Sequence, residues 1–331
     1  MTNLLIERYR ILRQVSNDQP VGRRVLAGKL NLSERILRSQ VDFLKGCGLL
    51  SYSSAGMAVT DEGSEILREL AEYVRKLQGL SSLEQILLGK LTVKKVVIIP
   101  GDSDEEAVVK CEIGRAAAHV LVSLLEEGKG RIVAVSGGTT LAAAASNIRG
   151  NFPDVVVVPA RGGLGDTLEL QANTIATVMA RHLRAAYRQL YVPDSVSQEI
   201  LNSILAEDAG IRAVVDIIKH ADILVHGIGR ADVMARHRHL PQTFIDRLLE
   251  QGAVGEAVGQ YSDIRGQQIY MTNNAGLMMN DLPRIGTVIG VAGGKSKAKA
   301  IIAVSRATKQ DILITDEAAA NEMVALFEAG N

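Results

Sequence analysis

The sequence predicts an α/β chain in two parts: a small N-terminal head of helices closed by a hairpin, and a larger domain on a mostly parallel sheet. Three observations carry the prediction. The 331 residues exceed one average domain. The first sixty alternate helical periodicity with Asn, Asp, Pro and Gly breaks, then end in two short strand-like runs. From about Val93 onward, near-continuous apolar runs alternate with helical stretches, as in a sheet covered by helices on both faces.

The head is expected over residues 1–62. Residues 3–16 space Leu5, Tyr9, Leu12 and Val15 by four and three, one stripe of a helix. Asn17-Asp18-Gln19-Pro20 breaks it. Residues 21–30 predict a second helix with Val25, Leu26 and Leu30 inward, and Asn31-Leu32 a tight turn. Ser33 is placed to cap a third helix through about Lys45, ended by Gly46 and Gly48. Residues 49–52 and 57–60 flank Ser53-Ser54-Ala55-Gly56 as a hairpin. Helix, helix, turn, helix, hairpin is the order of a winged helix-turn-helix. The third helix is expected to bury Ile36, Leu37, Val41 and Leu44. Its other face offers Ser33, Arg35, Arg38, Ser39 and Asp42, the polar and cationic groups that reach base edges and phosphates. The candidate DNA contacts are Arg23, Arg24, Ser33, Arg35, Arg38 and Ser39. Charge agrees: residues 1–50 hold nine basic side chains against four acidic ones in a chain of zero net charge.

Residues 63–90 read as a linker. One long helix is expected over 63–88, with Ile66, Leu70, Tyr73, Leu77 and Leu80 spaced 4-3-4-3 as a dimerising seam. The larger domain follows over 91–331. Its strands are expected at 96–99, 132–135, 155–158, 190–192, 223–225, 288–291 and 312–314, with helices at 112–127, 168–188 and 317–328.

Ligands of open parallel sheets sit beyond the carboxyl ends of the strands, so strand-end loops are where chemistry is expected. Ser136-Gly137-Gly138-Thr139-Thr140 leads from a strand into a helix. Its glycines admit close approach, and its hydroxyls stand at a helix N-terminus that favours phosphate. Pro159-Ala160-Arg161-Gly162-Gly163 places a planar guanidinium fork at a strand end, ahead of an expected Asp166/Glu169 capping box and Gln171. His226-Gly227-Ile228-Gly229 precedes the basic cluster Arg236-His237-Arg238; a histidine such as His226 is more often buried and satisfied than catalytic. Gly293-Gly294-Lys295-Ser296-Lys297 repeats the Gly-Gly-polar design. Four anion-friendly loops on one sheet edge point to a phosphorylated small molecule, with no metal-ligand cluster and no nucleophile–base pair.

Taken together, SGGTT, PARGGLG with QANT ten residues after its arginine, VHGIG, GAVGEAVG and VAGGKSKAKAI resemble the SorC family of sugar-sensing transcriptional regulators, over essentially the whole chain. The resemblance implies a repressor of a central glycolytic operon, relieved by fructose 1,6-bisphosphate or a related sugar phosphate. It implies an effector domain similar in fold to glucosamine-6-phosphate deaminase and ribose-5-phosphate isomerase. The effector contacts it implies are Gly137, Gly138, Thr139, Thr140, Arg161, Gln171, His237, Arg238, Glu256 and Lys297, with His237 standing where an arginine is expected. The alternative is a sugar-phosphate isomerase or deaminase with an accessory N-terminal domain. Deaminases of this fold carry G-I-G-x-D-G-H, and the Asp and His positions hold Ala231 and Val233 here, so an acid–base pair is missing and no enzyme is expected.

Composition narrows the rest. Two distant cysteines, Cys47 and Cys111, fit neither a disulfide framework nor a zinc site, and a reducing cytoplasm is the expected setting. The N-terminal stretch carries charges throughout and lacks the apolar core of a signal peptide, and no apolar run reaches membrane-spanning length. Aromatics make up 3%, too few for a base-stacking platform. Heads joined by linker helices would span repeated half-sites, so homodimers, and tetramers on double-stranded operator DNA, are expected.

Overall fold

The computed structural model describes residues 2–163, 167–194 and 196–330. The chain divides into two compact units between Ser82 and Leu83. The first holds helices α1 (Thr2–Asp18), α2 (Arg23–Leu30) and α3 (Glu34–Gly46), the hairpin β1 (Leu50–Ser53) and β2 (Gly56–Val59), and α4 (Asp61–Leu77). Its core gathers Ile11 and Val15 of α1, Leu26 of α2, Leu37 and Val41 of α3, and Met57 of the hairpin, all at most 1% exposed. Asn31 takes the left-handed conformation (φ 52°) that closes α2, and the Ser33 hydroxyl accepts from the Ile36 amide at 3.3 Å to open α3. Val21 exchanges backbone bonds with Met57 and tethers the hairpin to the start of α2.

Two side chains expected in this core are outside it. Val25 is 56% exposed and Ile36 41%. Each lies one residue, about 100° of helical turn, before the residue that is buried: Leu26 on α2 and Leu37 on α3. The expected single helix over 63–88 is also corrected. It is two helices, α4 and α5 (Leu80–Lys90), broken at Gln78-Gly79 where Gly79 turns to φ 71°. The α4 helix belongs to the head. Leu67 packs on the head core, and Gly63 sits so close to the Leu49 carbonyl that a Cβ would overlap it. Along the expected seam Tyr73 and Leu77 stay exposed, while Val74 is buried.

The second unit is built on strands β3 (Lys95–Ile99), β4 (Ile132–Val135), β5 (Val156–Pro159), β6 (Ala186–Tyr187) and β7 (Ile223–Gly227). After these come β8 (Gly229–Arg230), β9 (Ala253–Ala257), β10 (Gln260–Asp263), β11 (Gln268–Met271), β12 (Thr287–Val291) and β13 (Ile312–Asp316). Seven form one parallel sheet in the order β3-β13-β12-β7-β4-β5-β6. Helices α6 (Ala107–Glu126), α7 (Thr139–Asn147) and α8 (Ala172–Leu183) bury Ile113, Leu121, Leu141, Ile175 and Met179 against it. The remaining helices are α9 (Gln198–Glu207), α10 (Ala209–Lys219), α11 (Ala231–His237), α12 (Gln242–Glu250), α13 (Ala298–Ala307) and α14 (Glu317–Glu328).

The strand expected at 190–192 is not one. The edge strand is β6, reached because Arg184 (φ 53°) turns the chain back after α8, which ends the helix expected to run to 188. Leu190 and Val192 are buried outside any strand; the Leu190 amide donates to the Asn173 side chain at 2.9 Å, and the Val192 carbonyl accepts from Gly163 at 3.2 Å in an isolated bridge. A four-stranded antiparallel sheet, β11-β10-β9-β8, was not foreseen. Its β9 strand packs on α13 through Gly255, where a Cβ would stand 2.8 Å from the Ala300 carbonyl oxygen. No helix among the described residues is long and apolar enough to cross a membrane.

Candidate ligand cavity and nucleic-acid face

Strands β12, β7, β4 and β5 are consecutive neighbours and parallel, so the four loops that follow them open on one edge of the sheet. Between these loops lies a cavity of about 430 Å³. All ten expected effector residues line it: Gly137, Gly138, Thr139, Thr140, Arg161, Gln171, His237, Arg238, Glu256 and Lys297.

The loop after β4 is held open by its glycines. A Cβ on Gly137 would stand 2.6 Å from the Leu170 carbonyl oxygen, and Gly138 (φ 117°) donates its amide to the same carbonyl at 2.9 Å. The turn delivers Thr139 and Thr140 to the first turn of α7, which no side chain caps. Such an end presents free amides and the positive end of a dipole. The Ser136 hydroxyl accepts from the Gly227 amide at 3.0 Å and ties this loop to the one after β7.

The floor is a network of buried charges. Arg161 donates from Nε to Asp194 at 2.8 Å, from Nη2 to the Thr272 hydroxyl at 2.7 Å, and from Nη1 to the Val258 carbonyl. The fork expected to face a phosphate thus rests on protein acceptors in this structure. Arg238 donates to the other oxygen of Asp194 at 3.4 Å, to Glu256 at 3.1 Å and to the Tyr261 hydroxyl at 3.2 Å. Glu256 also accepts from the Gly259 amide at 2.7 Å. Burial opposes the Arg238 charge, but Glu256, Tyr261 and Asp194 hold its pKa above the ordinary arginine value. Burial lifts the Tyr261 hydroxyl to about 12, keeping it a neutral donor and acceptor. Asp194 and Thr272 went unforeseen; they reach Arg161 from 33 and 111 residues away.

The rim differs. His237 is exposed, Gln171 half-buried at the start of α8, and Lys297 half-buried. Among the described residues the Lys297 ammonium holds no hydrogen bond or ion pair. Burial, with help from Lys110, pushes its pKa down, and Asp104 and Asp316 pull it back through space. An incoming anion would compensate that desolvation. Asp166, with which the expected capping box begins, lies outside the described residues.

This wall carries Ala231 and Val233 at the two positions where the deaminase pattern has its Asp and His. Ala231 is buried at the start of α11, and Val233 lines the cavity. Asp232 between them does not line it. Against the cost of burial, Arg230 and Arg236 hold the Asp232 carboxyl below its usual range, as an anion. His226 is fully buried, and burial pushes its pKa down. Gln310 Oε1 stands 2.9 Å from His226 Nε2 and the Gly227 carbonyl 3.0 Å from Nδ1; a neutral ring satisfies both contacts when Nδ1–H donates to Gly227 and the Gln310 amide is turned over to donate to Nε2. That orientation also gives the otherwise unpartnered Gln310 Nε2 a bond.

In the head, Arg23, Arg24, Ser33, Arg35, Arg38 and Ser39 are all exposed. Arg38 approaches Asp42 at 3.9 Å and Arg24 approaches Glu34 at 3.4 Å, loose pairs open to water. The hairpin adds Tyr52, with Lys45 and Arg23 over its ring at 5.0 and 5.9 Å. The wing and both helices thus share one cationic cluster.

Comparison with known proteins matches the two parts of the chain to two different family models. Residues 4–74 match the family model "CggR N-terminal DNA binding domain", and residues 75–325 match "Putative sugar-binding domain". The chain is 43% identical over 329 residues to the central glycolytic genes regulator of Priestia megaterium, covering 99% of this chain and 96% of that one. It is 39% identical over 320 residues to the protein of the same name from Bacillus subtilis, covering 96% and 93%. A solved "putative SorC family transcriptional regulator" from Enterococcus faecalis superposes with a TM-score of 0.67 at 38% identity, over 73% of this chain and 99% of that one. Full-length sorbitol operon regulator SorC from Klebsiella pneumoniae shares the fold, with a TM-score of 0.67 at 18% identity over 96% and 98%.

Proposed function

The chain belongs to the SorC family of DNA-binding transcriptional regulators, and on that premise we propose that it represses a central glycolytic operon and releases it when fructose 1,6-bisphosphate fills the cavity. The relatives it matches are regulators and not enzymes. The observation that carries the reading is the convergence of four neighbouring strand-end loops on one cavity that has an uncapped helix N-terminus and an unpaired lysine.

In this reading Gly137, Gly138, Thr139, Thr140 and Lys297 take one phosphate. Arg161, His237 and Arg238 take the other once the ligand competes for their partners. Gln171 and Glu256 bond the sugar hydroxyls. The head reads the operator with Arg35, Arg38 and Ser39 and grips phosphates with Arg23 and Arg24, while Ser33 sets the start of the recognition helix. The exposed Tyr73 and Leu77 of α4 support pairing into homodimers, and tetramers on DNA. Coupling follows from linkage: a ligand that prefers the released conformation lowers DNA affinity by its preference, typically ~1–3 kcal/mol. A mobility-shift titration on a glycolytic operator tests it. Fructose 1,6-bisphosphate is expected to release the complex, and retention at saturating ligand would refute the reading.

A further inference from the structure

Two backbone-amide cradles open on the cavity, and they are not in the same state. The one at the start of α7 has no side-chain cap. The other, at Gly294-Lys295-Ser296, is already filled by carboxylates. Asp316 Oδ2 accepts from Gly294 at 2.6 Å and from Ser103 at 2.9 Å, while its Oδ1 caps α14 at Ala319, 2.9 Å away. Asp316 is fully buried and holds three amides, so it is a fixture of the fold. Asp104 is different. It is exposed, it lines the cavity, and its Oδ2 accepts one amide, that of Ser296, at 2.8 Å. It lies directly on Gly294 (φ 101°), where a Cβ would overlap its carboxylate.

Asp104 is carried by the short loop between β3 and α6. That loop is held by Asp102, which accepts from the Asp104 amide at 2.9 Å and from Lys295 at 3.4 Å. Asp102 does not line the cavity. Asp104, Ser296 and Lys297 thus line the cavity together; the Asp104 carboxylate acts on the Lys297 ammonium through space and is held by one bond to the cradle.

We propose that Asp104 is a specificity-determining residue, a resident anion on the seat of one ligand phosphate, which only a group of higher charge displaces. The proposal rests on the reading that the cavity takes a sugar phosphate. A phosphate monoester carries about −1.5 to −2 at neutral pH and three acceptor oxygens. Asp104 offers a single negative charge and commits one oxygen to the cradle. The phosphate displaces it from the Ser296 amide and pairs with Lys297, and the loop swings its carboxylate away. A neutral sugar, lacking charge, leaves Asp104 in place.

Calorimetric titration of the full chain with fructose 1,6-bisphosphate tests this in three forms: wild type, Asp104→Asn and Asp102→Asn. Asp104→Asn keeps the shape and removes the competing charge. Its affinity is expected to rise about tenfold, the scale of one like charge at close range in a half-solvated cleft. The gain should shrink as salt is raised. Asp102→Asn loosens the same loop without changing the charge in the cavity, so no gain is expected from it. Equal or weaker binding by Asp104→Asn, or an equal gain from Asp102→Asn, overturns the proposal while wild-type binding leaves the functional reading intact. Absence of binding in all three forms overturns both.

Discussion

The candidate DNA face and the floor of the cavity carry their arginines in opposite ways. In the head, the Arg24 and Arg38 side chains are 91% and 72% exposed. In the ligand domain, those of Arg161 and Arg238 are 7% and 3% exposed, each against a carboxylate. An exposed cation grips a polyanion by releasing its counterions, so it tolerates many geometries and weakens with salt. A buried cation fixed by carboxylates holds one geometry and selects its ligand by shape and charge. The difference teaches where each kind of change should register: in DNA affinity for the head, in stability and ligand response for the cavity.

The largest effect is expected from cutting the buried network. Glu256→Ala leaves Arg238 without its closest carboxylate, and should lower stability by ~3–5 kcal/mol in chemical denaturation. Arg35→Ala, on the exposed face, should change stability by less than ~0.5 kcal/mol. Equal losses from the two would erase the contrast.

Arg35→Ala and Arg38→Ala should instead weaken operator binding by ~1–3 kcal/mol if they read bases, and lower the salt slope by ~1 each if they contact phosphates. Unchanged affinity at moderate salt removes α3 as the recognition helix.

Smaller still, Lys297→Met should raise the melting temperature of the ligand-free protein by ~2–4 °C, about 1 kcal/mol for a domain of this size, while abolishing the ligand's stabilising shift. The sign follows from its lowered pKa. Between that value and the ordinary 10.5 the unfolded chain binds more protons than the folded one. Ligand-free stability from this group therefore grows as pH rises through the window, and the pH dependence flattens in the variant. Ligand affinity moves the other way, falling as the ammonium loses its proton. The smallest change is Ser33→Ala, expected to cost ~0.5–1 kcal/mol of head stability through loss of the cap, read by thermal unfolding.

What the sequence made legible was local. Glycines at a strand end mark a loop by their neighbours alone, so all four cavity loops were visible. Parallel neighbours in the sheet then brought the loops together. The partners of Arg161 were not visible, because Asp194 and Thr272 arrive from distant loops that carry no motif. The sheet of β8–β11 was hidden because Gly-Ala-Val-Gly-Glu-Ala lacks the alternation of a half-buried strand. The break at Gly79 was masked by a 4-3 spacing that continues across it to Leu80. Val25 and Ile36 show the limit of periodicity at a helix flank, where one residue decides burial.

The most direct test of the account is operator affinity of the full chain, measured by fluorescence anisotropy at fixed salt with and without saturating fructose 1,6-bisphosphate, in the wild type and in Lys297→Met. The account predicts that the ligand weakens wild-type binding by ~5–150-fold and leaves the variant's binding unchanged. A wild type that holds its operator regardless of ligand, or a variant released as fully as the wild type, would contradict it.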